Sequence, residues 1–182
     1  MSANRYVALL RGINVGGRNP LPMVDLREAF VAEGYEGVRT HLQSGNVLFG
    51  SDGDRASLEG ALEGMIERRL GVELVVVVRS RRQMRNIVHK APAGFGEKPE
   101  AYHSDVIFLK APLTAARAMR VVDVREGVDQ VWQGAGILYF ARLSERRTQS
   151  RMSRIVGTPE YQMMTIRSWS TTTKLLSLLE ER

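Results

Sequence analysis

Two segments of the chain share one layout, and this repeat limits the folds that the sequence can adopt. The first reads HLQSGNVLFG from His41, and the second reads VWQGAGILYFA from Val131. In each, a glutamine precedes a glycine-containing turn, and an aliphatic–aromatic run follows the turn. Two short β-prone runs joined by such a turn predict a β-hairpin. We interpret the pair as an internal duplication, with chance similarity of two hairpins as the alternative.

The elements around the first hairpin alternate between strand and helix. The apolar run at Arg5–Arg11 predicts a buried strand. Apolar residues at helical spacing predict a helix around Met23–Phe30 and another over Asp54–Leu70, which ends at Gly71. The β-branched run Val72–Val78 predicts a central strand. With the hairpin, the order becomes β-α-β-β-α-β, which is the split βαβ arrangement of ferredoxin-like domains.

The second half predicts the same order after a connecting segment. That segment combines a short helix at Arg81–Lys90 with a proline- and glycine-rich linker at Ala91–Tyr102. The elements expected after it are a strand at Ser104–Lys110, a helix at Leu113–Val121, the second hairpin, a helix at Arg147–Val156, a strand at Gln162–Ile166 and a helix at Ser170–Glu181.

The sequence therefore predicts an α+β fold of two ferredoxin-like (βαββαβ) subdomains, with antiparallel sheets and helices packed on one face. The expected boundaries are 1–80 for the first subdomain, 81–102 for the connecting helix and linker, and 103–182 for the second subdomain with its C-terminal helix.

Composition narrows the chemistry that such a fold can carry. The 182 residues include no cysteine, which excludes disulfides, thiolate nucleophiles and cysteine-ligated metals. Three histidines lie far apart without metal-ligand spacing, so we expect no metal, and no motif implies a cofactor. The apolar run Leu74–Val78 is far shorter than the roughly 20 residues that a bilayer crossing requires. With no export signal at the start of the sequence, we expect a cytoplasmic protein without membrane contact.

The charge is positive and is carried mainly by arginine. Lys and Arg number 26 against 20 Asp and Glu, which gives a formal charge of +6. Arginine binds phosphates and carboxylates through its planar, forked guanidinium. The arginines are spread along the whole chain, however, as a GC-rich genome would also produce. The charge by itself predicts only weak affinity for polyanions.

Three motifs stand out from this background. They are RGINVGGRN at 11–19, LQSGNV at 42–47 and TIRSWST at 165–171. Together they resemble a bacterial family known as domain of unknown function 1697, and the resemblance runs over essentially the whole chain. It implies two ferredoxin-like subdomains and no established activity. The family usually carries asparagine on both sides of the tryptophan of the last motif, where this chain has Ser168 and Ser170.

The glycine-rich loop of the first motif suggests an anion site. Gly12 and Gly17 have the spacing of a phosphate-binding P-loop, but Arg18 and Asn19 replace the lysine and hydroxyl residue that would hold phosphates and magnesium. A weaker hypothesis remains, in which glycine backbone N–H groups converge on an anion beside the arginines. The alternative is a turn that needs positive φ at those glycines.

Residues of the three motifs form the candidate ligand site. They are Arg11, Gly12, Asn14, Gly16, Gly17, Arg18, Gln43, Ser44, Asn46, Arg167, Ser168, Trp169, Ser170 and Thr171. We expect them to line one cleft, with Ser168 or Ser170 capping the final helix. The leading hypothesis is therefore a module that binds a small anionic ligand.

Two other classes of function stay open. A nucleic-acid partner would use two basic runs, Arg79–Lys90 and the arginines at 147, 151 and 154. An enzyme acting on an unidentified substrate would use polar groups such as Arg11, His41, Ser44 or Asn46. Ferredoxin-like sheets that bind RNA do so through clustered aromatics, which this sequence lacks.

Overall fold

The computed structural model describes residues 4–181, which fold into eight β-strands and five α-helices. The elements of the first half are β1 (Asn4–Leu10), α1 (Met23–Ala32), β2 (Glu36–His41), β3 (Asn46–Ser51), α2 (Arg55–Leu70), β4 (Val76–Ser80) and α3 (Arg81–His89). Those of the second half are β5 (Tyr102–Leu109), α4 (Ala115–Val121), β6 (Asp129–Gly134), β7 (Ile137–Leu143), three 3-10 turns over Ser144–Gln149, Met152–Gly157 and Pro159–Met163, β8 (Met164–Ser168) and α5 (Trp169–Glu180).

The strands form two four-stranded antiparallel sheets. Their orders are β2-β3-β1-β4 and β6-β7-β5-β8. In the first sheet Leu9 lies opposite Asn46 and Leu10 lies opposite Val76, so the end of β1 meets the starts of both β3 and β4. The predicted α+β class and the two antiparallel sheets are confirmed.

The chain divides into two compact units that contain one sheet each. The first unit runs up to Arg85 and also includes the chain from Leu175 onwards, whereas the second comprises Asn86–Lys174. Helix α5 contributes its first residues to the second unit and its last residues to the first. Within residues 4–181, none of the helices combines the length and apolar character needed to span a membrane.

The first unit buries both faces of its central strand. Ala8 and Leu10 of β1 share a core with Phe30 of α1 and with apolar residues of α2. Val7 and Leu9 point to the opposite face, because side chains alternate along a strand, and they are fully buried as well. This sheet therefore presents no exposed central face to solvent.

The edge strand β4 is closed by two glutamates of α2. Glu63 accepts a hydrogen bond from the N–H of Val76 (2.8 Å), and Glu59 accepts one from the N–H of Val78 (2.9 Å). Unpaired N–H groups at the edge of a sheet can pair with a strand of another chain. The two carboxylates accept hydrogen bonds from these groups and so prevent that pairing. Glu59 also lies 3.8 Å from the buried guanidinium of Arg79. Burial, together with the nearby positive charge of Arg55, lowers the pKa of Arg79 to about 10, while Glu59 opposes the shift.

Replacement of Glu59 tests this arrangement. Glu59→Ala should lower the free energy of unfolding by on the order of 3 kcal/mol, because it removes a carboxylate that faces a buried arginine and takes away the acceptor of the Val78 N–H. Glu59→Gln keeps the acceptor and should cost less. Urea denaturation measures both, with the exposed Glu67→Ala on the same helix as the control. Equal midpoints for Glu59→Ala and Glu67→Ala would contradict the edge-strand role.

The second unit has a core of its own. Ile107 of β5 and Leu138 and Phe140 of β7 pack with Ala118 of α4 and with Ile155 of the 3-10 turns. All five side chains are almost completely buried. The 3-10 turns therefore contribute to this core through Ile155.

The helix predicted at Arg147–Val156 is wrong, because 3-10 turns form there instead. Side-chain oxygens accept hydrogen bonds from backbone N–H groups that would bond to backbone carbonyls in an α-helix. The Asp129 carboxylate accepts from the N–H of Arg151 (2.9 Å), and the Ser150 hydroxyl accepts from the N–H of Met152 (3.2 Å). Such local bonds compete with the i to i−4 ladder.

Two predicted strands are shifted along the sequence. β4 begins at Val76 rather than Val72, because Val72 and Leu74 pack against the core without joining the sheet. β8 covers Met164–Ser168 rather than Gln162–Ile166, because the 3-10 turn at Pro159–Met163 delays its start.

Candidate functional site

After β1 the chain forms a small hairpin with an exposed tip. Val15 and Arg18 form an antiparallel bridge, and the N–H of Arg18 donates to the carbonyl of Val15 (3.1 Å). Gly16 and Gly17 between them have φ values of 58° and 73°. Two successive positive φ values are required by a type I′ turn, which explains the glycine pair. Ile13, at the base of the loop, is fully buried and anchors it.

The side chain of Asn14 fixes the loop to its surroundings. Its Oδ1 accepts from the N–H of Leu21 (2.7 Å), and its Nδ2 donates to the carbonyls of Leu21 (2.9 Å) and Gln43 (2.8 Å). Its own N–H donates to the carbonyl of Asn19 (3.2 Å). Asn14 therefore acts as a clamp that joins both ends of the glycine-rich loop to the turn between β2 and β3.

The turn between β2 and β3 is held by a second asparagine. Asn46 is fully buried, and its Nδ2 donates to the carbonyl of His41 (2.7 Å) and the hydroxyl of Ser44 (3.3 Å). Gly45 has a φ of 82°, and a Cβ there would lie 2.5 Å from Cδ1 of Ile13. Glycine is thus required at this point, where the turn touches the base of the glycine-rich loop.

The two arginines that flank the loop lie in different environments. Arg11 is half-buried, and its N–H donates to the carbonyl of Val75 (2.9 Å). Arg18 is exposed, and within residues 4–181 no carboxylate forms an ion pair with it. Arg18 is therefore the cation of this loop that is available to an incoming anion.

Removal of the Asn14 amide tests the clamp. Asn14→Ala should lower the free energy of unfolding by about 2 kcal/mol, because the N–H of Leu21 and two carbonyls lose their partner. Thermal and chemical denaturation measure the effect. Asn86→Ala, at an exposed helical asparagine, should change stability by less than about 0.5 kcal/mol. A loss no larger than that of Asn86→Ala would refute the clamp.

In the second unit, Ser168 caps helix α5 as predicted. Its Oγ accepts from the N–H of Thr171 (3.2 Å) and donates to the hydroxyl of Thr171 (2.9 Å). The hydroxyl of Ser170 lies 3.1 Å from that of Ser168. A serine N-cap satisfies one of the unpaired N–H groups of the first helical turn.

The neighbours of this cap are packing residues, of which Arg167 is buried and Trp169 is half-buried. Arg167 is 9% exposed and donates to the carbonyl of Ile166 (2.9 Å), and burial lowers its pKa to about 10. Trp169 packs edge-to-face on Phe95, with ring centroids 5.1 Å apart. A Cβ at Gly96 would overlap the indole of Trp169, so glycine permits this close contact.

The structure brings some of the candidate residues together. The nine that come from the first two motifs lie in the first unit, where the Asn14 clamp joins the glycine-rich loop to the turn. The five from Arg167 to Thr171 lie in the second unit, around the start of α5. The single cleft that would combine both groups stays a prediction.

The second unit contains a cluster of polar and charged side chains that the sequence did not predict. His103 Nε2 lies 3.2 Å from the buried Asp105 carboxylate, and the Arg142 guanidinium lies 3.8 Å from it. Burial raises the pKa of Asp105, and the neighbouring His103 and Arg142 side chains oppose that shift. Residues two apart on a strand share a face, but the strand predicted from the sequence began at Ser104, so His103 lay outside it.

The two basic runs are partly neutralised. Arg79 is buried, and Arg85 forms an ion pair with Glu180 (2.8 Å). Arg151 and Arg154 both pair with one aspartate, and no α-helix aligns them on one face. These contacts reduce the positive surface that the sequence suggested.

Comparison with known proteins identifies the family. Residues 3–139 match the family described as "Protein of unknown function (DUF1697)". The chain belongs to this family. The match ends within β7, so it is narrower than the resemblance expected from the sequence and leaves out the motif at 165–171.

A solved structure extends the likeness of fold to nearly the whole chain. The conserved bacterial protein SP0830 from Streptococcus pneumoniae is similar with a TM-score of 0.83 at 23% identity, over 97% of this chain and 99% of that one. At that identity the likeness concerns the fold alone. No protein of curated function matches the chain.

Proposed function

We propose that this protein is a binding module for a small anion, with the glycine-rich loop as its site. One observation carries the proposal: the Asn14 clamp holds an exposed hairpin tip in which Gly16, Gly17 and Arg18 face solvent. A loop held in place by its base loses little conformational entropy when it binds a ligand.

The tip has the chemistry that an anion requires. Successive backbone N–H groups in a turn form a concave, partly positive surface that suits phosphate or carboxylate oxygens. The Arg18 guanidinium adds a planar donor next to these N–H groups. Asn14, Gln43, Ser44 and Asn46 position the loop and the turn, while Gly12 and Arg11 link the loop to β1. Arg167–Thr171 remain part of the proposed site as a prediction.

We also propose that both units are ferredoxin-like and arose by duplication. In each, a strand ends in a buried arginine followed by a serine that caps the next helix. Arg79 precedes Ser80, which accepts from the N–H of Gln83 (3.2 Å), just as Arg167 precedes Ser168. Both arginines also donate to the carbonyl of the residue before them, at 2.9 Å. Chance similarity of two hairpins does not account for this second correspondence.

The nucleic-acid and enzyme alternatives receive less support. RNA-binding ferredoxin-like domains expose one sheet face, but Val7 and Leu9 are buried on one face of β1 while Ala8 is buried on the other. Asn46, a candidate for catalysis, holds the turn with its amide.

We keep the cytoplasm as the proposed location.

Calorimetric titration of phosphate, sulfate and acetate tests the anion site. At about 0.15 M salt, where the Debye length is about 8 Å, a built site retains its affinity and discriminates among anions. We expect saturable binding that Arg18→Ala weakens about tenfold through the loss of a charge-assisted contact. Arg27→Ala removes the same charge from an exposed position of α1 and should leave binding unchanged.

Equal, weak binding by all three proteins that disappears with salt would contradict the anion site. Retention on heparin or DNA at the same salt concentration would instead favour the nucleic-acid alternative. Arg18 and Arg27 both lie outside the hydrophobic cores, so neither substitution should change binding by unfolding the protein.

A further inference from the structure

A cavity of about 190 Å³ opens in the second unit. The glycine-rich loop belongs to the first unit, so the residues of the two sites are different. Its floor is a row across three strands, formed by Gln130 of β6, Ala141 of β7 and Ser104 of β5. The segment 93–98 between α3 and β5 provides the facing wall. The small side chain of Ala141, in the middle of the row, leaves the space open.

The cavity combines aromatic walls with a buried hydroxyl that lacks a partner. Phe95, Tyr102 and Trp132 line it, and Phe95 lies edge-to-face with Trp132 at 5.9 Å between centroids. Ser104 is 8% exposed, and its Oγ has no hydrogen-bond partner within the described residues. A buried polar group without a partner is rare in folded proteins and calls for an explanation. Ser104 lines the floor but its Oγ is enclosed, so a ligand atom in the cavity would supply the missing hydrogen bond after rotation about the Ser104 Cα–Cβ bond turned this oxygen towards the opening.

A cation completes the lining. Lys98 is exposed, so its ammonium group lies on the solvent side of the cavity, whereas Ser104 lies at its buried floor. No carboxylate within residues 4–181 forms an ion pair with Lys98. The polar groups are therefore separated, with a neutral hydroxyl inside and a positive charge outside.

We propose that this cavity binds a small aromatic acid that carries a second polar group on its ring. The ring would lie among Phe95, Tyr102 and Trp132, the second group would bond to Ser104, and the carboxylate would face Lys98. The volume is below the roughly 300–1,000 Å³ of pockets for drug-sized ligands, so it fits a single ring. This site is additional to the anion site proposed at the glycine-rich loop.

The test uses 4-hydroxybenzoate as the probe on the full chain. Trp132 lines the cavity and is one of only two tryptophans, so its fluorescence reports binding and calorimetry supplies the affinity. Wild-type protein should bind 4-hydroxybenzoate more tightly than benzoate, which lacks the ring hydroxyl. Ser104→Ala should weaken 4-hydroxybenzoate about tenfold and leave benzoate unchanged.

Matched variants separate the contributions. Thr165→Val removes another buried hydroxyl without a partner, outside the cavity, and should leave both affinities unchanged. Lys98→Gln should weaken both carboxylates and spare 4-hydroxybenzyl alcohol, whereas Lys90→Gln, at an exposed lysine off the cavity, should change neither. Arg18→Ala should not change binding in the cavity. A failure of the cavity proposal can therefore be distinguished from a failure of the anion site proposed at the glycine-rich loop.

Two results would overturn the proposal. One is the absence of saturable binding of 4-hydroxybenzoate up to about 10 mM, far above the concentrations at which specific pockets saturate. The other is a ratio of 4-hydroxybenzoate to benzoate affinity that Ser104→Ala leaves unchanged. Because Ser104→Ala removes a buried polar group without a partner, the variant should remain folded, and its melting curve verifies this.

Discussion

The hydrogen bonds of the Asn14 side-chain amide hold the glycine-rich loop and the turn between β2 and β3 in place. The amide bonds three backbone groups, two at Leu21 and one at Gln43, and so ties the entry of α1 to the turn between two strands. The sheet order makes this possible, because the end of β1 lies beside the start of β3. With its base fixed by Asn14 and by buried Ile13, the tip of the loop projects into solvent.

The two units cover their sheets with different elements. In the first unit a long helix covers the sheet and closes the edge strand with Glu59 and Glu63. In the second unit 3-10 turns join the core, and Asp129 accepts a hydrogen bond from the N–H of Arg151 between two of them. The second sheet also leaves a cavity over Ala141. One unit thus presents an exposed loop, and the other an open cavity.

Periodicity and turn chemistry predicted much of the fold. The helix expected at Asp54–Leu70 forms over Arg55–Leu70, because its apolar spacing, its aspartate cap and its terminal glycine agree. The turn at Arg147–Val156 was not predictable, since the bond that breaks the helix comes from Asp129, far away in sequence. The role of Asn14 was hidden for the same reason: its partners are backbone groups whose proximity only the fold creates. The cavity lined by Ser104 depends on the small side chain of Ala141 on the neighbouring strand β7. No local sequence pattern reveals that these two residues are neighbours.

The central claim, that the clamped loop presents its backbone N–H groups to an anion, is tested most directly by nuclear magnetic resonance. In nitrogen-15-labelled protein at about 0.15 M salt, phosphate should shift the amide signals of Gly16 and Gly17 along one saturable curve. The amide of Gly127, an exposed glycine with a φ of 73° in another turn, should not follow that curve. Shifts that grow linearly with phosphate, or that are equal at Gly16, Gly17 and Gly127, would contradict the account.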